Sequence, residues 1–229
     1  MTFNHVLVEM EFDGKRLTLE TGQVARQAHG AVIATMGETK VFAAASTGTG
    51  RDDLDFFPLT VDYREKTNSA GKIPGGFFKR EARPTTKEIL TMRLIDRSIR
   101  PMFPSGFRQE VQVMSQVLSY DGENSAEILA MIASFAALHI SNIPFDRAMG
   151  AVRIGQLDGR LMAFPPAPSL REESQLDLVV AGHTDGIGMV EASARELPEA
   201  EIIDALELAD KTIREICALI EELLSLIHI

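Results

Sequence analysis

A glycine-bounded segment of the sequence combines aromatic and basic side chains in a way that suits contact with a nucleic-acid strand. Gly75 and Gly76 are followed by two adjacent phenylalanines and three cations: Phe77, Phe78, Lys79, Arg80 and Arg83. Aromatic rings stack on bases of any sequence, each for about 1–3 kcal/mol, while Lys and Arg follow the phosphates. The alternative is that one ring anchors the loop to the core and that Lys79 and Arg80 are merely solvated. The residues by themselves leave both interpretations open.

A predicted helix directly after this segment carries a second group of cations. Arg93, Arg97 and Arg100 stand at positions i, i+4 and i+7, which places them on one face of a helix. The planar guanidinium group can bind a phosphate through two donors at once, so this stripe suits an anionic ligand. The alternative is that the arginines pair with Asp96 or with acids elsewhere in the fold.

The charge of the chain is unevenly distributed. Its formal net charge of −10 argues against a surface that binds nucleic acid everywhere. Between Gly71 and Arg108, however, nine Lys or Arg stand beside three Asp or Glu. This basic stretch predicts one anion-facing surface on an acidic protein, or alternatively a solvated helix face with a chance excess of arginine.

Other kinds of catalytic or metal chemistry lack their usual sequence patterns. No GxxxxGK[ST], GxGxxG or GxSxG motif is present, and the five histidines have no zinc-ligand spacing. The apolar surroundings of His139 predict a core position. The one cysteine, Cys217, allows no intrachain disulfide, which predicts a reducing cytoplasm. No apolar run of 18 residues occurs, so no membrane-spanning helix is predicted.

The elements that must position these residues follow from hydrophobic periodicity and turn signals. Strands are predicted at 6–12, 17–19, 31–36, 40–46, 57–63, 111–120, 152–154, 160–164, 177–181 and 189–192. Residues 67–84 hold too many Gly and Pro for a regular element. Helices are predicted over 85–100, over 128–140 behind a capping box of Asn124 and Glu127, and over 199–223. This pattern predicts a mixed α/β fold (α+β), with β-sheets packed against helices and a long C-terminal helix.

Longer stretches around these residues resemble the polynucleotide phosphorylase family. They span residues 3–220 and include 21–28, 55–61, 72–81, 93–97, 107, 110–112 and 176–182. The resemblance implies that residues 1–223 form the first, non-catalytic, of two ribonuclease PH-like domains, with 199–223 as the helix that leads to a helical linker. Residues 224–229 depart from the helical pattern, which indicates a truncated or non-native tail.

The resemblance also implies an activity and partners. Family members are 3′-to-5′ exoribonucleases of mRNA degradation, in which inorganic phosphate attacks RNA and releases nucleoside diphosphates. Mg²⁺ assists, and would be bound by the second domain rather than by this chain. The implied partners are single-stranded RNA, inorganic phosphate, the second ribonuclease PH-like domain, two further chains in a homotrimer and a degradosome-type complex, but neither DNA nor a membrane.

The resemblance assigns the basic and aromatic residues to RNA. The RNA-gripping loop of the family is matched by five residues: Phe77, Phe78, Lys79, Arg80 and, behind them, Arg83. Arg93, Arg97 and Arg100 match a helix near the site that the two domains share, which implies phosphate or RNA contact.

The resemblance places no catalytic residue in this domain. Active halves in the family carry two aspartates just before the strand that ends in Val-Ala-Gly, whereas residues 168–177 hold one, Asp177. Two alternatives to the enzyme half stay open. One is a non-catalytic RNA-binding or assembly fragment, and the other is a stand-alone ribonuclease PH or exosome-like subunit.

Overall fold

Two β-sheets and four α-helices are present in the computed structural model, which describes residues 5–50, 55–76 and 81–227. The larger sheet has six strands in the order β1-β2-β3-β4-β6-β5. All neighbours in it are antiparallel except β5 and β6, which are parallel. Its strands are β1 (Val6–Phe12), β2 (Lys15–Thr21), β3 (Gly30–Met36), β4 (Thr39–Thr47), β5 (Leu59–Glu65) and β6 (Val111–Ser119).

The smaller sheet has four antiparallel strands in the order β10-β9-β7-β8. They are β7 (Met149–Leu157), β8 (Arg160–Ala163), β9 (Leu176–His183) and β10 (Gly186–Ala194). The helices are α1 (Thr86–Ile99), α2 (Ala126–His139), α3 (Ala167–Glu172) and α4 (Glu199–Ile227). Short 3-10 turns occur at Thr67–Ala70 and Arg100–Met102. The predicted mixed α/β fold with a long C-terminal helix is therefore confirmed.

The core lies around α2, which contacts β3, β4 and β6 of the large sheet and β7 of the small one. Twelve of its 14 residues are buried, as suits a helix that is apolar on all sides. The side chain of His139 at its end is 8% exposed, with Nε2 3.0 Å from Glu221 Oε1. Helix α4 packs on β7, β9 and β1 through its apolar stripe, which includes Ala209, Ile213 and Ile216.

Two tight turns follow directly from their sequences. Asp13-Gly14 joins β1 to β2 and has φ values of 47° and 78°, and Asp158-Gly159 joins β7 to β8 with φ values of 51° and 73°. Positive φ at both central residues defines the type I′ turn, whose twist matches that of a hairpin. An Asp-Gly pair between two predicted strands is a strong hairpin signal, and the structure forms a hairpin at each of these two pairs.

The predicted capping box of Asn124 and Glu127 is wrong. The residue at the helix N-cap is Ser125, and its side chain makes no capping hydrogen bond. Asn124 instead donates to Asp121 Oδ2 (2.7 Å), and Glu127 turns toward Arg153. At this helix end, Asn124 bonds to a residue of the preceding turn and Glu127 pairs with a residue of another strand, so the capping box does not form.

Several further features differ from the sequence-based expectations. The strand expected at 57–63 begins at Leu59, because the Phe57 ring packs against Phe103 at a centroid distance of 4.6 Å. Helix α3 lies in a run where no element was predicted. Helix α4 continues through Ile227, beyond the expected end at 223. No helix in the described ranges is long and apolar enough to cross a membrane.

Candidate nucleic-acid interface

The loop predicted to grip RNA is only partly described by the structure. Phe77, Phe78, Lys79 and Arg80 lie outside the described residues, so their role stays a prediction. The residues on either side are described: Gly76 has a φ of 62° and Glu81 a φ of 44°. The backbone is therefore in the left-handed region on both sides of residues 77–80. At Glu81, unlike at Gly76, a side chain is present, and such residues adopt this region uncommonly.

Glu81 fixes the returning end of the loop. Its carboxylate accepts hydrogen bonds from the Thr67 backbone N–H (2.7 Å) and from the Thr67 hydroxyl. These hydrogen bonds, the hydroxyl's first, lower the pKa of Glu81. Its backbone carbonyl accepts a hydrogen bond from Lys66 Nζ (3.1 Å). The carboxylate of Glu81 therefore has its hydrogen-bond partners at the base of the loop.

A cavity of about 540 Å³ opens beside this segment. Its walls hold three cations, three carboxylates and some apolar groups: Lys66, Lys72, Arg83, Glu65, Glu81, Glu88, Ile73 and Pro74. Ile73 is 92% exposed, which is unusual for an isoleucine. Ligand sites typically have volumes of about 300–1,000 Å³ and combine apolar walls with a few polar groups. The cavity therefore has the size of a small-ligand site. Lys66 was not singled out in the sequence, where it lies outside the basic stretch.

The arginine stripe is divided between ion pairs and solvent. Arg97 Nη2 donates to Glu191 Oε2 on β10 (2.7 Å), and Arg100 Nη2 donates to Asp96 Oδ1 (2.6 Å). Arg93 is exposed and has no carboxylate partner within the described ranges. The pairing that the sequence left open as an alternative thus exists for two of the three arginines.

Arg100 also has a structural task. Its Nη1 donates to the carbonyl of Phe57 (3.1 Å), and its guanidinium lies 5.7 Å from the centre of that ring. Of the three arginines in the stripe, Arg93 is the most readily available to an anion, since Arg97 and Arg100 would first have to leave their carboxylates.

A partly buried ion-pair network that the sequence did not reveal connects both sheets with helices α1 and α2. Arg153 on β7 lies 2.7 Å from Glu127 on α2 and 2.9 Å from Asp177 on β9. Lys87 on α1 contacts Glu127 (3.6 Å) and Glu65 on β5 (2.9 Å). Pairs at such sequence separations have no local signal, so only the fold shows them.

The charges in this network stabilise one another against burial. Burial alone would raise the pKa of Glu127, but Arg153 and Lys87 outweigh it, and the pKa is lowered. Burial likewise opposes the charge on Arg153, and Glu127 and Asp177 more than compensate, so its pKa is raised. Glu127 and Arg153 therefore both stay ionised, and each depends on the other.

Asp177 is the one aspartate in the segment where active halves of the family carry two, and in the structure it belongs to this ion-pair network. Its Oδ1 lies 2.9 Å from Arg153 Nε, so the carboxylate already has a cation. Across residues 5–50, 55–76 and 81–227, no group of three or more His, Cys, Asp or Glu side chains is placed to hold a metal ion. The described part of the chain thus offers a cavity lined by charges of both signs and an Asp177 carboxylate that is paired with Arg153.

Comparison with known proteins first defines the class of fold. The structure is similar to that of rice (Oryza sativa) Rrp46, with a TM-score of 0.69 over 98% of this chain and 96% of that one. The two sequences are 16% identical, so this likeness speaks for the fold alone.

The sequence comparison then defines the family. Residues 13–144 match the model of domain 1 of the 3′ exoribonuclease family, the ribonuclease PH domain, and the chain belongs to this family. Relatives named polyribonucleotide nucleotidyltransferase include those of Rhodopirellula baltica, 49% identical over 222 residues, and Zymomonas mobilis, 53% identical over 209 residues. The matches cover 97% and 91% of this chain, but 29% and 28% of those relatives. The chain thus spans less than a third of the length of the curated relatives it matches.

Proposed function

We propose that this chain is the RNA-gripping, non-catalytic half of a phosphorolytic 3′-to-5′ exoribonuclease, a polyribonucleotide nucleotidyltransferase that acts in mRNA degradation. The observation that carries the proposal is the 49% identity to such an enzyme over 97% of the chain. The three cations of the cavity beside the glycine-bounded loop, Lys66, Lys72 and Arg83, support it, because single-stranded RNA needs cations for its phosphates.

The proposed reaction transfers a nucleotidyl group to phosphate. An oxygen of inorganic phosphate bonds to the phosphorus of the last phosphodiester, and the bond from that phosphorus to the 3′-oxygen of the preceding nucleotide breaks. The terminal nucleotide leaves as a nucleoside diphosphate, and the 3′-oxygen of the shortened RNA takes up a proton. Cations near the attacked phosphate would offset the negative charge that develops there.

Magnesium does not fit the described residues of this chain. Asp177 is paired with Arg153 and Glu127 with Arg153 and Lys87, and the described residues place no group of three or more potential ligands together. We propose that Mg²⁺ is bound by the second ribonuclease PH-like domain of the complete protein. The described chain then contributes binding and orientation of RNA.

The partners that we propose agree with RNA binding by this chain and Mg²⁺ binding by the second domain. They are single-stranded RNA, inorganic phosphate, the second ribonuclease PH-like domain, two further copies in a homotrimer and a degradosome-type complex, with no role for DNA. The proposed location is the cytoplasm, for which the single buried Cys217 is suited.

A non-catalytic RNA-binding or assembly fragment is the second candidate. The ion pair between Asp177 and Arg153 favours it, because a carboxylate in that position is not available for chemistry. The two candidates differ in whether a catalytic domain works with this one, and they share the RNA contacts. A stand-alone ribonuclease PH-like subunit has no observation in its favour beyond the fold.

RNA binding by the 229-residue chain tests the shared part of the proposal. Fluorescence anisotropy with a labelled single-stranded RNA should show binding that Phe77→Ala with Phe78→Ala weakens by roughly tenfold or more, since each lost stacking contact costs about 1–3 kcal/mol. Phe56→Ala is the matched control, because this exposed ring lines a different cavity. Unchanged affinity in the double variant would mean that the two rings are structural.

A further inference from the structure

The contact between Glu81 and Thr67 closes one side of the cavity beside the glycine-bounded loop. The Glu81 carboxylate accepts hydrogen bonds from the backbone N–H of Thr67 (2.7 Å) and from its hydroxyl, and both residues line the cavity. Two hydrogen bonds between the same two residues fix their relative orientation as well as their distance. The contact therefore determines how residues 81–83 lie against residues 66–72.

All three cations of the cavity are connected to this contact. Lys66 directly precedes Thr67 and donates from Nζ to the backbone carbonyl of Glu81 (3.1 Å). The backbone N–H of Lys72 donates to the Thr67 carbonyl (3.1 Å). Arg83 is exposed and follows Glu81 by two residues. The contact between Glu81 and Thr67 thus fixes the three cations relative to one another.

The backbone conformation of Glu81 indicates that its side chain is needed at this position. Its φ of 44° lies in the left-handed region, which glycine adopts at no steric cost and residues with a Cβ adopt uncommonly. Such conformations persist where the surrounding structure holds them, and they are concentrated at ligand-binding and catalytic sites. A glycine would serve the turn better, so the glutamate is explained by its carboxylate.

The charge of Glu81 is unfavourable, by itself, at a surface that binds RNA. Its carboxylate is ionised at neutral pH, because the hydrogen bonds from Thr67 lower its pKa. A negative group beside three cations repels phosphates, which are negative as well. Removal of the carboxylate should therefore strengthen RNA binding if charge alone matters, and weaken it if the carboxylate positions the cations.

We propose that Glu81 is a positioning residue for RNA: through Thr67 it holds the three cations of the cavity in the arrangement that binds the phosphates of a single strand. The inference rests on the proposed function and adds to it a residue that does not contact the ligand. Cations that are ordered before binding lose less conformational entropy when the phosphates arrive, and this raises the affinity.

RNA binding by Glu81→Gly tests the sign of the effect on the 229-residue chain. Glycine suits the backbone at this position, so the variant removes the carboxylate without a steric clash. Fluorescence anisotropy with a labelled single-stranded RNA should show an affinity at least about threefold lower than that of the wild type. The salt dependence of binding should also become flatter, because fewer phosphate contacts form.

Glu196→Gly is the matched control. Glu196 also has a positive φ, 55°, and is exposed, but it does not line the cavity. Its side chain has no hydrogen bond or ion pair within the part of the chain that the structure describes. The control therefore makes the same substitution and the same change of charge, and it should not weaken RNA binding. Urea unfolding of both variants establishes that they are folded.

Two further measurements test the route through Thr67. Thr67→Val removes the hydroxyl, and its effect on RNA affinity should be less than additive with that of Glu81→Gly, because both changes break one contact. Hydrogen exchange of the Thr67 and Lys72 amides should be faster in Glu81→Gly than in the wild type, while exchange in β6 should stay constant. The exchange measurement needs no RNA.

Four results would overturn the inference. They are a folded Glu81→Gly that binds RNA as tightly as the wild type or more tightly, a loss of affinity with an unchanged salt slope, additive effects of the two substitutions, and unchanged exchange at Thr67. If the first result occurs while Phe77→Ala with Phe78→Ala still weakens binding, the inference fails and the proposed function stands. A wild-type chain that binds no RNA would overturn both.

Discussion

The guanidinium group of Arg153 lies 2.7 Å from the carboxylate of Glu127, and both side chains are 15% exposed. Arg153 also donates from Nη1 to the Ser125 hydroxyl (2.9 Å), which stands at the N-cap of α2. This arginine therefore connects the small sheet to the start of the central helix. It also pairs with Asp177, the one aspartate in the segment where active halves of the family carry two.

Arg153→Met should destabilise the fold strongly. The substitution keeps much of the side-chain volume but leaves Glu127 buried without its main cation, and loss of one partner from a buried pair typically costs about 3–5 kcal/mol. Urea unfolding measures the free energy. The control is Arg214→Met, which removes an exposed pair with Asp210 on α4 and should change the free energy of unfolding little. Equal effects at both sites would contradict the assignment of a buried network.

Replacing both partners should recover stability. Glu127→Leu combined with Arg153→Met removes the two buried charges together, so neither is left uncompensated. We expect the double variant to be more stable than Arg153→Met alone, in a double-mutant cycle measured by urea unfolding at neutral pH. Additive losses would show that the two side chains do not act as a pair.

The stability contribution of Glu127 should disappear in acid. Its pKa in the folded chain is below the ordinary value of 4.5, so the contribution is full above that value and is lost as the pH falls through the folded pKa. Glu127→Gln should therefore be much less stable than the wild type at pH 7, and the difference should shrink progressively below about pH 4.5. A difference that is constant with pH would mean that the carboxylate charge contributes nothing.

The basic residues at the loop should set the salt dependence of RNA binding. Each phosphate contact on a single strand contributes about 0.7 to the slope of log affinity against log salt. Arg80→Ala with Arg83→Ala should therefore lower the slope by roughly 1.4 if each arginine makes one such contact. Arg214→Ala, on α4, should leave the slope unchanged. A slope that stays the same in the loop variant would exclude phosphate contact at these two arginines.

The chain alone should not release nucleoside diphosphates from RNA in the presence of phosphate and magnesium. The physical reason is that Asp177 and Glu127 are already bound to Arg153, and the described residues hold no carboxylate group arranged for a metal. Chromatographic detection of diphosphates after a long incubation checks this expectation. Sustained turnover by a preparation free of other nucleases would refute the proposed division of labour.

Gly30→Ala should destabilise the contact between the large sheet and α2. A Cβ at this position would lie 2.0 Å from the carbonyl oxygen of Ala137, which is backbone and cannot rotate away. Overpacking of this kind costs about 1–3 kcal/mol or more. Gly48→Ala is the control, since its Cβ would meet nothing closer than 3.7 Å. Equal thermal stability of the two variants would show that β3 and α2 can move apart at this contact without a loss of stability.

The sequence by itself determined the features of this protein that are set over a few residues. The Asp-Gly pairs at 13–14 and 158–159 placed two hairpins, because few residues tolerate the positive φ that a type I′ turn requires. The apolar stripe of α4 and the all-apolar run of α2 placed those helices, since burial follows helical periodicity. Other local stretches carried the family resemblance, among them 21–28, 55–61 and 72–81.

Only the tertiary structure decided how the charged residues are used. The sequence left Arg97 either available to an anion or paired with an acid elsewhere, and the structure pairs it with Glu191, which lies 94 positions away. Glu127 on α2 matched a capping motif, and in the structure it pairs instead with Arg153 on β7. Electrostatic partners are chosen by distance in space and by shared burial, and neither is written in the spacing of residues along the chain.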